Sequence, residues 1–331
     1  MKDIASLFGS TDVPDILKLK WLTAHIEGGE GDVSRYQKVT QPDPDDRKPY
    51  SPDFKSSLGA LEELPLEILH MILLELDVLS LRNSKATTSR ATLLIQSLPQ
   101  YNHILSYAHS LIALLQYGEL TPYFSVSRIH SVLVSPSCTT CMQFGGYVFL
   151  SGLQRCCLRC GAEKLEFLPI TQNDASNRYR VRPKDLEKLP KLNVLSEDPR
   201  NPYSQQTSTK VRYLISRGEA SKSGRKAPKG KQRVHFRFPE LYLAPLPFLD
   251  LIATTIDAGL RCLGCLKAFT LYGREYLDEH DLPLEIRRQY AQHNESLRGK
   301  GETRTSWLYW KKQLLYPEKE ILPHFQECHG A

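Results

Sequence analysis

Cysteine pairs at metal-ligand spacing are the residues of this chain best suited to chemistry. The pairs Cys138-Thr-Thr-Cys141 and Cys157-Leu-Arg-Cys160 are separated by fifteen residues. Two residues between cysteines let both thiolates face one ion, and a tetrahedral zinc that takes two such pairs keeps no open position. The spacing predicts a structural zinc site of Cys138, Cys141, Cys157 and Cys160, which would shape a surface without doing chemistry.

Three alternatives to this first site stay open. Cys156 could replace Cys157, although the two-residue spacing to Cys160 favours Cys157. A redox Cys-x-x-Cys could explain one pair, but one ion explains two matched pairs more simply. A disulfide framework is disfavoured because the first residues carry no signal-peptide core, and thiols stay reduced in the cytoplasm and nucleus, the expected compartments.

A third pair, Cys262-Leu-Gly-Cys265, predicts a second zinc site. His324 and Cys328 are four residues apart, so a helix would place both on one face. His329 is an alternative ligand to Cys328. Cys262 and Cys265 could instead be two thiols of the apolar core that bind no metal. The long separation from the earlier pairs argues against the interleaved ligands of a RING. The expected cofactor is structural zinc, one ion or two.

Short elements must position these cysteines. Tyr147 to Leu150 follow a Gly-Gly turn and predict a strand, typical of a zinc-ribbon-like module. Gly161 is interpreted as a turn residue that needs a positive φ. Strands are also expected within Leu241 to Leu251 and at Leu271. A short C-terminal helix is expected, beginning late because of Pro323.

The sequence before the first cysteine pair predicts several helices. Leu64 to Leu76 has nine apolar residues in thirteen, interrupted by Glu67, His70 and Glu75. This apolar arc is wider than the stripe of about 100° that a surface helix turns to its own core. Such a helix is either buried all round or covered by a partner, and we favour a partner. Further helices are predicted at Ile16–Ile26, Ser84–Leu98, His103–Tyr117 and Ser125–Val134, with His103, His109 and His130 as surface or packing residues.

The positive charge is concentrated in one segment. The net charge is +6, but residues 210–237 alone carry +9 and the remaining residues −3. The run Arg225 to Arg233 could be a nuclear localisation signal or a phosphate-binding arm, although a solvated linker is the simpler interpretation. A pI above neutrality is therefore a weak argument for nucleic acid.

Motifs of catalysis and of membrane insertion are missing from the sequence. It holds no nucleophile elbow, phosphate loop, dinucleotide fingerprint or His-Glu-x-x-His. Both predicted metal sites are saturated by protein ligands, which leaves no place for an activated water. No apolar run approaches the roughly 20 residues that span a bilayer. We expect neither an enzyme nor a membrane protein.

The segment from Leu64 to Arg82 resembles an F-box. The family pattern has Leu-Pro, then an acid, an aliphatic pair, Ile-Leu, Leu-Asp and a turn into the next helix. Those positions hold Leu64, Pro65, Glu67, Ile68, Leu69, Ile72, Leu73, Leu76 and Asp77. One departure is the polar text Lys85 to Ala91, which lacks the tryptophan that F-boxes usually carry there.

The order of later motifs is similar to that of a fungal F-box family, over most of residues 60–331. It has Cys138-x-x-Cys141-x-x-Phe-Gly-Gly, Arg155-Cys-Cys-x-x-Cys160, Cys262-x-x-Cys265 and His324-Phe-Gln-Glu-Cys328. The resemblance implies a mainly α fold with a small α+β zinc-stabilised part. Its expected segments are an extension with a proline-rich spacer (1–57), a three-helix F-box and following helix (58–118), the zinc-ribbon-like module (119–170), a linker with a disordered basic segment (171–238) and a zinc-stapled C-terminal region (239–331).

The resemblance also implies a non-catalytic substrate receptor of a Skp–cullin–F-box ubiquitin ligase. The Skp adaptor would join the chain to a cullin, the C-terminal part would bind a protein substrate, and partner subunits would transfer ubiquitin. The main alternative is a zinc-dependent nucleic-acid-binding regulator, disfavoured because no basic recognition helix accompanies the cysteines. A metalloenzyme and an F-box protein outside the ligase are further alternatives. The implied adaptor-binding residues are Leu64, Pro65, Glu67, Ile68, Leu69, Ile72, Leu73, Leu76, Leu79 and Leu81.

Overall fold

A computed structural model describes residues 23–24, 57–194, 212–224, 242–272, 287–292 and 303–329. These residues form many short helices and several small sheets, which confirms the prediction of a mainly helical fold with small sheets. The chain divides into two compact units, Gly28–Ile256 and Met1–Glu27 together with Asp257–Ala331. The proline-rich spacer and the basic run 225–233 lie outside the described residues.

The helices and strands of the described residues are numbered in chain order. The helices are α1 (Leu66–Leu74), α2 (Val78–Lys85), α3 (Ser89–Gln96), α4 (Pro99–Tyr107), α5 (His109–Tyr117), α6 (Val126–Leu133), α7 (Leu158–Glu163), α8 (Gln172–Tyr179), α9 (Pro183–Leu186), α10 (Arg217–Ser223), α11 (Leu263–Tyr272), α12 (Arg304–Gln313) and α13 (Glu318–His329). The strands are β1 (Thr23–Ala24), β2 (Tyr147–Phe149), β3 (Gln154–Cys156), β4 (Pro169–Thr171), β5 (Lys191–Val194), β6 (Arg212–Ser216), β7 (Leu243–Pro245), β8 (Phe248–Asp250), β9 (Thr255–Asp257) and β10 (Arg261–Cys262).

Polar caps divide the helical part of the larger unit. Asp77 accepts hydrogen bonds from the N–H groups of Leu79 and Ser80 at 2.9 and 3.1 Å, and so begins α2. Thr88 is extended and caps α3 by accepting the N–H of Ala91. Such caps satisfy donors that have no partner in the first turn. Helices α1 to α6 enclose an apolar core of Val78, Leu81, Ile95, Leu98, Ile104, Leu111, Leu115, Val126 and Ile129.

Two predicted helices are wrong in their extent. The helix expected over Ser84–Leu98 is broken between α2 and α3, where Thr88 leaves helical geometry. The helix expected over His103–Tyr117 belongs to α4 and α5, which meet at Ala108 with φ −120° and ψ 21°. Leu64–Leu76 and Ser125–Val134 are helical within one or two residues of the predicted ends, as α1 and α6.

A histidine pair joins α4 to α6. His103 Nδ1 lies 3.1 Å from His130 Nε2, and the rings stack with centroids 5.4 Å apart. Burial, and then the neighbouring His103, lowers the pKa of His130 below its ordinary 6.5. Both histidines are therefore packing residues, as predicted, whereas His109 is exposed.

The pair should make stability depend on pH. Because the folded state lowers the pKa of His130, the unfolded chain binds the proton more readily, so stability is kept above pH 6.5 and falls as the pH drops below it. We expect the melting temperature of His130→Gln to fall less between pH 7.5 and 5.5 than that of the unchanged chain. The exposed His109→Gln is the control, and an equal fall in all three proteins would contradict the prediction.

Within the segment 171–238, which is predicted to be a linker with a disordered basic run, the described residues 171–194 and 212–224 form strands and helices. Strands β4, β6 and β5 form an antiparallel sheet with Ile170 opposite Ile215 and Leu192 opposite Leu214. Helices α8 and α10 cover one face of this sheet. The resulting core contains Ile170, Ala175, Tyr179, Val181, Leu186, Leu189, Ile215 and Ala220.

The smaller unit joins residues from both ends of the chain. Thr23 in β1 pairs with Cys262 in β10, so this part of the helix expected over Ile16–Ile26 is a strand; residues 16–22 and 25–26 lie outside the described residues. Leu271, expected in a strand, lies in α11. The helix expected from Tyr316 onward is α13, which begins two residues later at Glu318 and continues through Pro323.

Candidate metal centres

Four cysteine sulfur atoms of the larger unit converge on one point. The Sγ atoms of Cys138, Cys141, Cys157 and Cys160 all lie within 4.8 Å of one another. Cys141 Sγ is 3.7 Å from Cys157 Sγ. Tetrahedral zinc with bonds of about 2.3 Å separates its sulfur ligands by about 3.8 Å. The predicted first ligand set is therefore brought together, and it could hold a metal ion.

Two local turns hold these cysteines. Cys138 N–H donates to Gln143 O at 2.7 Å, and Met142 N–H donates to Cys138 O at 3.0 Å, which folds the first pair into a knuckle. Cys157 begins α7, where its Sγ accepts the N–H of Cys160 at 3.4 Å. The knuckle and the helix start thus present two sulfur atoms each.

Hydrogen bonds among the thiols shift their pKa values in opposite directions. Hydrogen bonds from Cys157 and Cys160 hold the pKa of Cys138 far below its ordinary value. The same bonding to Cys138 raises the pKa of Cys157 to about 12, and it raises the pKa of Cys160 as well. Metal ions bind cysteine as the thiolate, so metal binding at this cluster should weaken as pH falls.

The structure distinguishes Cys157 from its neighbour Cys156. Cys156 ends β3, opposite Tyr147 in β2, and its sulfur is not part of the cluster. Burial is the main cause that raises the pKa of Cys156 well above its ordinary value. Cys156 is thus a buried neutral thiol, and the two-residue spacing identified the cluster member correctly.

Gly161 is needed for space and not for a turn. It lies inside α7, so the predicted positive φ is wrong. A Cβ at this position would come within 2.6 Å of Leu243 Cδ1 and 3.2 Å of Cys156 Sγ. A larger residue would force the Leu243 side chain in β7 to shift, so glycine allows α7 to pack closely against this strand.

A buried arginine, Arg155, joins the strands and helices around the first cluster. Its Nε donates to Val132 O at 3.0 Å, and its two Nη atoms donate to the carbonyl oxygens of Gly145, Leu246, Leu133 and Pro247. Burial lowers the pKa of its guanidinium to about 10. Its own carbonyl accepts from the N–H and hydroxyl of Thr139, inside the knuckle.

Arg155 therefore binds three separate segments to the knuckle through backbone carbonyls. In the sequence, Arg155 was recognisable only as a member of the motif that precedes Cys160, and its role in binding carbonyl oxygens was missed. The one sign of that role was a charged residue placed between an apolar predicted strand and a pair of cysteines.

The smaller unit holds a second group of metal-ligating atoms. The Sγ atoms of Cys262 and Cys265 and a ring nitrogen of His324 lie within 4.8 Å of one another. Cys265 Sγ is 3.3 Å from His324 Nε2, and the His324 ring stacks on Tyr316. Three of the four predicted ligands could hold an ion, whereas the side chains of Cys328 and His329 lie outside the described residues.

Helix α13 is tied to the cysteines of this second group. Asp257 Oδ2 accepts the N–H of Glu318 at 3.0 Å at the start of α13. Leu260 and Tyr316 exchange two backbone hydrogen bonds, at 2.8 and 3.0 Å. The surrounding core contains Leu260, Cys262, Cys265, Ile321 and Phe325, so folding closes the long sequence gap to His324.

Helix α1 has one apolar face toward the core and another toward solvent. Ile68, Met71 and Ile72 share the outer face and are between 42% and 65% exposed, and Leu66 at the start of the helix is 48% exposed. The opposite side packs inward through the buried Leu69, and at its edge His70 Nε2 lies 3.2 Å from Ser97 Oγ. The chain therefore buries only one part of the wide apolar surface of α1 and leaves the other part exposed to solvent.

The predicted adaptor-binding residues differ in their exposure. Leu69 and Leu81 are buried and belong to the core of the helical part. Leu64, Leu73 and Leu76 are half-buried, whereas Pro65, Glu67, Ile68, Ile72 and Leu79 are exposed. Leu66 and Met71, which the predicted set omitted, are exposed on the same helix.

No protein-family model matches this chain, and no curated protein or solved structure is significantly similar to it. Within the described residues, no helix is both long enough and apolar enough to cross a membrane. The function is therefore inferred from the chain's own residues.

Proposed function

We propose that the chain is a substrate receptor of a Skp–cullin–F-box ubiquitin ligase, with a non-catalytic role. The observation that carries the proposal is the exposed outer face of α1, formed by Ile68, Met71 and Ile72. It lies directly after the Leu64-Pro65 pair of the F-box-like motif. A folded chain that leaves a row of large apolar side chains in water has a surface suited to a protein partner.

The charges around this face favour the same proposal. Glu67 near the start of α1 and Glu75, directly after its end, are exposed beside the apolar face. An apolar centre with a polar rim is the usual composition of a protein interface. The partner would be the Skp adaptor, and a cullin would join through it.

We further propose that both metal centres hold structural zinc. The sulfur spacing of the first centre agrees with tetrahedral zinc, and cysteine and histidine are its preferred ligands. The ions would stabilise short strands and turns that bury little apolar surface themselves. The region they stabilise would bind the protein substrate.

Replacing Ile68 with aspartate tests the adaptor-binding face. Because Ile68 is exposed, the charge should leave the fold intact, but burying it in an interface would reduce adaptor affinity at least about 100-fold. The measurement is a titration of purified adaptor by calorimetry. Leu165→Asp is the matched control, since Leu165 is exposed outside α1 and its change should leave affinity unchanged.

Co-purification with a Skp adaptor, followed by native mass spectrometry, tests the whole proposal. We expect a one-to-one complex that carries two zinc ions. A zinc-bound chain that forms no such complex would contradict the ligase role. Nucleic-acid binding with a steep salt dependence would then favour the alternative regulator.

A further inference from the structure

We propose that Cys141 is an oxidation site for hydroperoxides, and that its conversion to a disulfide with Cys157 releases the metal ion of the first centre. The inference rests on the zinc occupancy proposed above. It adds a reaction to a centre that otherwise only stabilises the fold.

Exposure singles out Cys141 among the four sulfur ligands. Cys141 is exposed, whereas Cys138, Cys157 and Cys160 are at most 5% exposed. Its neighbour Met142 is 72% exposed and has a φ of 62°, which places the tip of the knuckle in solvent. A small oxidant can therefore reach the Cys141 sulfur without unfolding the chain. Thiolates, including those on a metal, are the form of cysteine that attacks peroxide.

A second thiolate lies within reach of the oxidised sulfur. Cys157 Sγ is 3.7 Å from Cys141 Sγ, and a disulfide needs about 2.05 Å, so a shift of about 1.7 Å closes the bond. The knuckle tip can supply this movement because only one sulfur of its pair is buried. Cys156 is adjacent to Cys157 in the sequence, but it is buried outside the cluster and does not compete with Cys157 for the disulfide with Cys141.

The chemistry balances with hydrogen peroxide as the only oxidant. The Cys141 thiolate attacks one peroxide oxygen and the O–O bond breaks; with one proton this gives a sulfenic acid and water. The Cys157 thiolate then attacks that sulfur, the S–O bond breaks, and a second proton carries the hydroxide away as water. The two sulfur atoms together lose two electrons, which the peroxide gains. Two of the four thiolates are consumed, so the ion loses half its ligands and dissociates.

The second centre provides an internal reference. Its two cysteines within the described residues, Cys262 and Cys265, are both 1% exposed. The same oxidant should therefore act on it more slowly. A chain that carries both ions can report the two rates in one experiment.

The test treats the zinc-loaded full chain with hydrogen peroxide and follows released zinc with a chromogenic chelator. Differential alkylation and peptide mass spectrometry identify the oxidised thiols over time. We expect one ion to be released together with a Cys141–Cys157 disulfide, and dithiothreitol with zinc to reverse both. Cys141→His, which keeps a zinc ligand but removes the reactive sulfur, should slow the release at least about tenfold. Cys156→Ser should leave the rate unchanged.

Each outcome is decisive. Oxidation of Cys138 or Cys160 before Cys141, or release from both centres at one rate, would overturn the inference. A disulfide that forms while the ion stays bound would also overturn it. A chain purified without metal at the first centre would instead contradict the proposed zinc occupancy. If Cys141→His binds no zinc, the order of thiol oxidation in the unchanged chain gives the answer.

Discussion

Replacement of Cys157 with serine should cost the chain one zinc ion and most of the order around its first metal centre. Cys157 supplies a sulfur to the cluster and accepts the N–H of Cys160 at the start of α7. A structural zinc contributes on the order of 10 kcal/mol to the folding of a small domain that depends on it. The measurements are metal content by elemental analysis and the rate of limited proteolysis within residues 137–163.

Cys156→Ser provides a matched control for this change. Cys156 is equally buried and adjacent in sequence, but its sulfur lies outside the cluster. It should keep both ions and resist protease nearly as well as the unchanged chain. Equal loss of zinc in the two variants would mean that the ligand assignment is wrong.

The second large effect is expected at Arg155. Arg155→Met would leave up to five buried carbonyl oxygens without their donors, in segments around residues 132, 145 and 246. Each unsatisfied buried group costs about 1–3 kcal/mol, so the loss should reach at least about 3 kcal/mol. The stability of Arg155→Lys should lie between that of the unchanged chain and that of Arg155→Met, because an ammonium group has fewer donors than a guanidinium and no fork geometry. Urea unfolding of the zinc-loaded chain measures both.

Arg159→Met is the control for loss of an arginine in the same region. Arg159 makes an exposed i,i+4 ion pair with Glu163 at 3.1 Å. Such pairs contribute at most about 0.5 kcal/mol, so its unfolding midpoint should hardly move. If Arg155→Met lost as little stability as Arg159→Met, the contacts of Arg155 with the carbonyl oxygens would contribute little to folding.

The cysteine centres were predictable from sequence because their information is local. Spacing within each Cys-x-x-Cys pair decides which sulfur atoms can meet, and it separated Cys157 from Cys156 correctly. The role of Arg155 was not predictable in this way. Its partners come from three segments that are distant in the chain, and no local pattern brings them together.

Other errors have equally physical causes. The sheet of β4, β5 and β6 was missed because its central strand, Arg212–Ser216, lies between the polar residues 195–211 and the basic run 225–233, which together suggested a linker. The burial of Leu69 follows from helical periodicity, because Leu69 and Leu73 share the inward face of α1 while Ile68 and Ile72 lie outward. The F-box pattern lists positions along the sequence, so residues from both the inward and the outward face of α1 were included in the predicted adaptor-binding set.

The pairing of Thr23 with Cys262 has a consequence for synthesis on the ribosome. The smaller unit needs residues near both ends of the chain, and the larger unit is inserted between them. The larger unit can fold cotranslationally, whereas the smaller one must wait until His324 has left the exit tunnel. The segment Thr23–Ala24 is therefore held without its partner strand until Cys262 has been synthesised, which gives chaperones a defined interval in which to bind it.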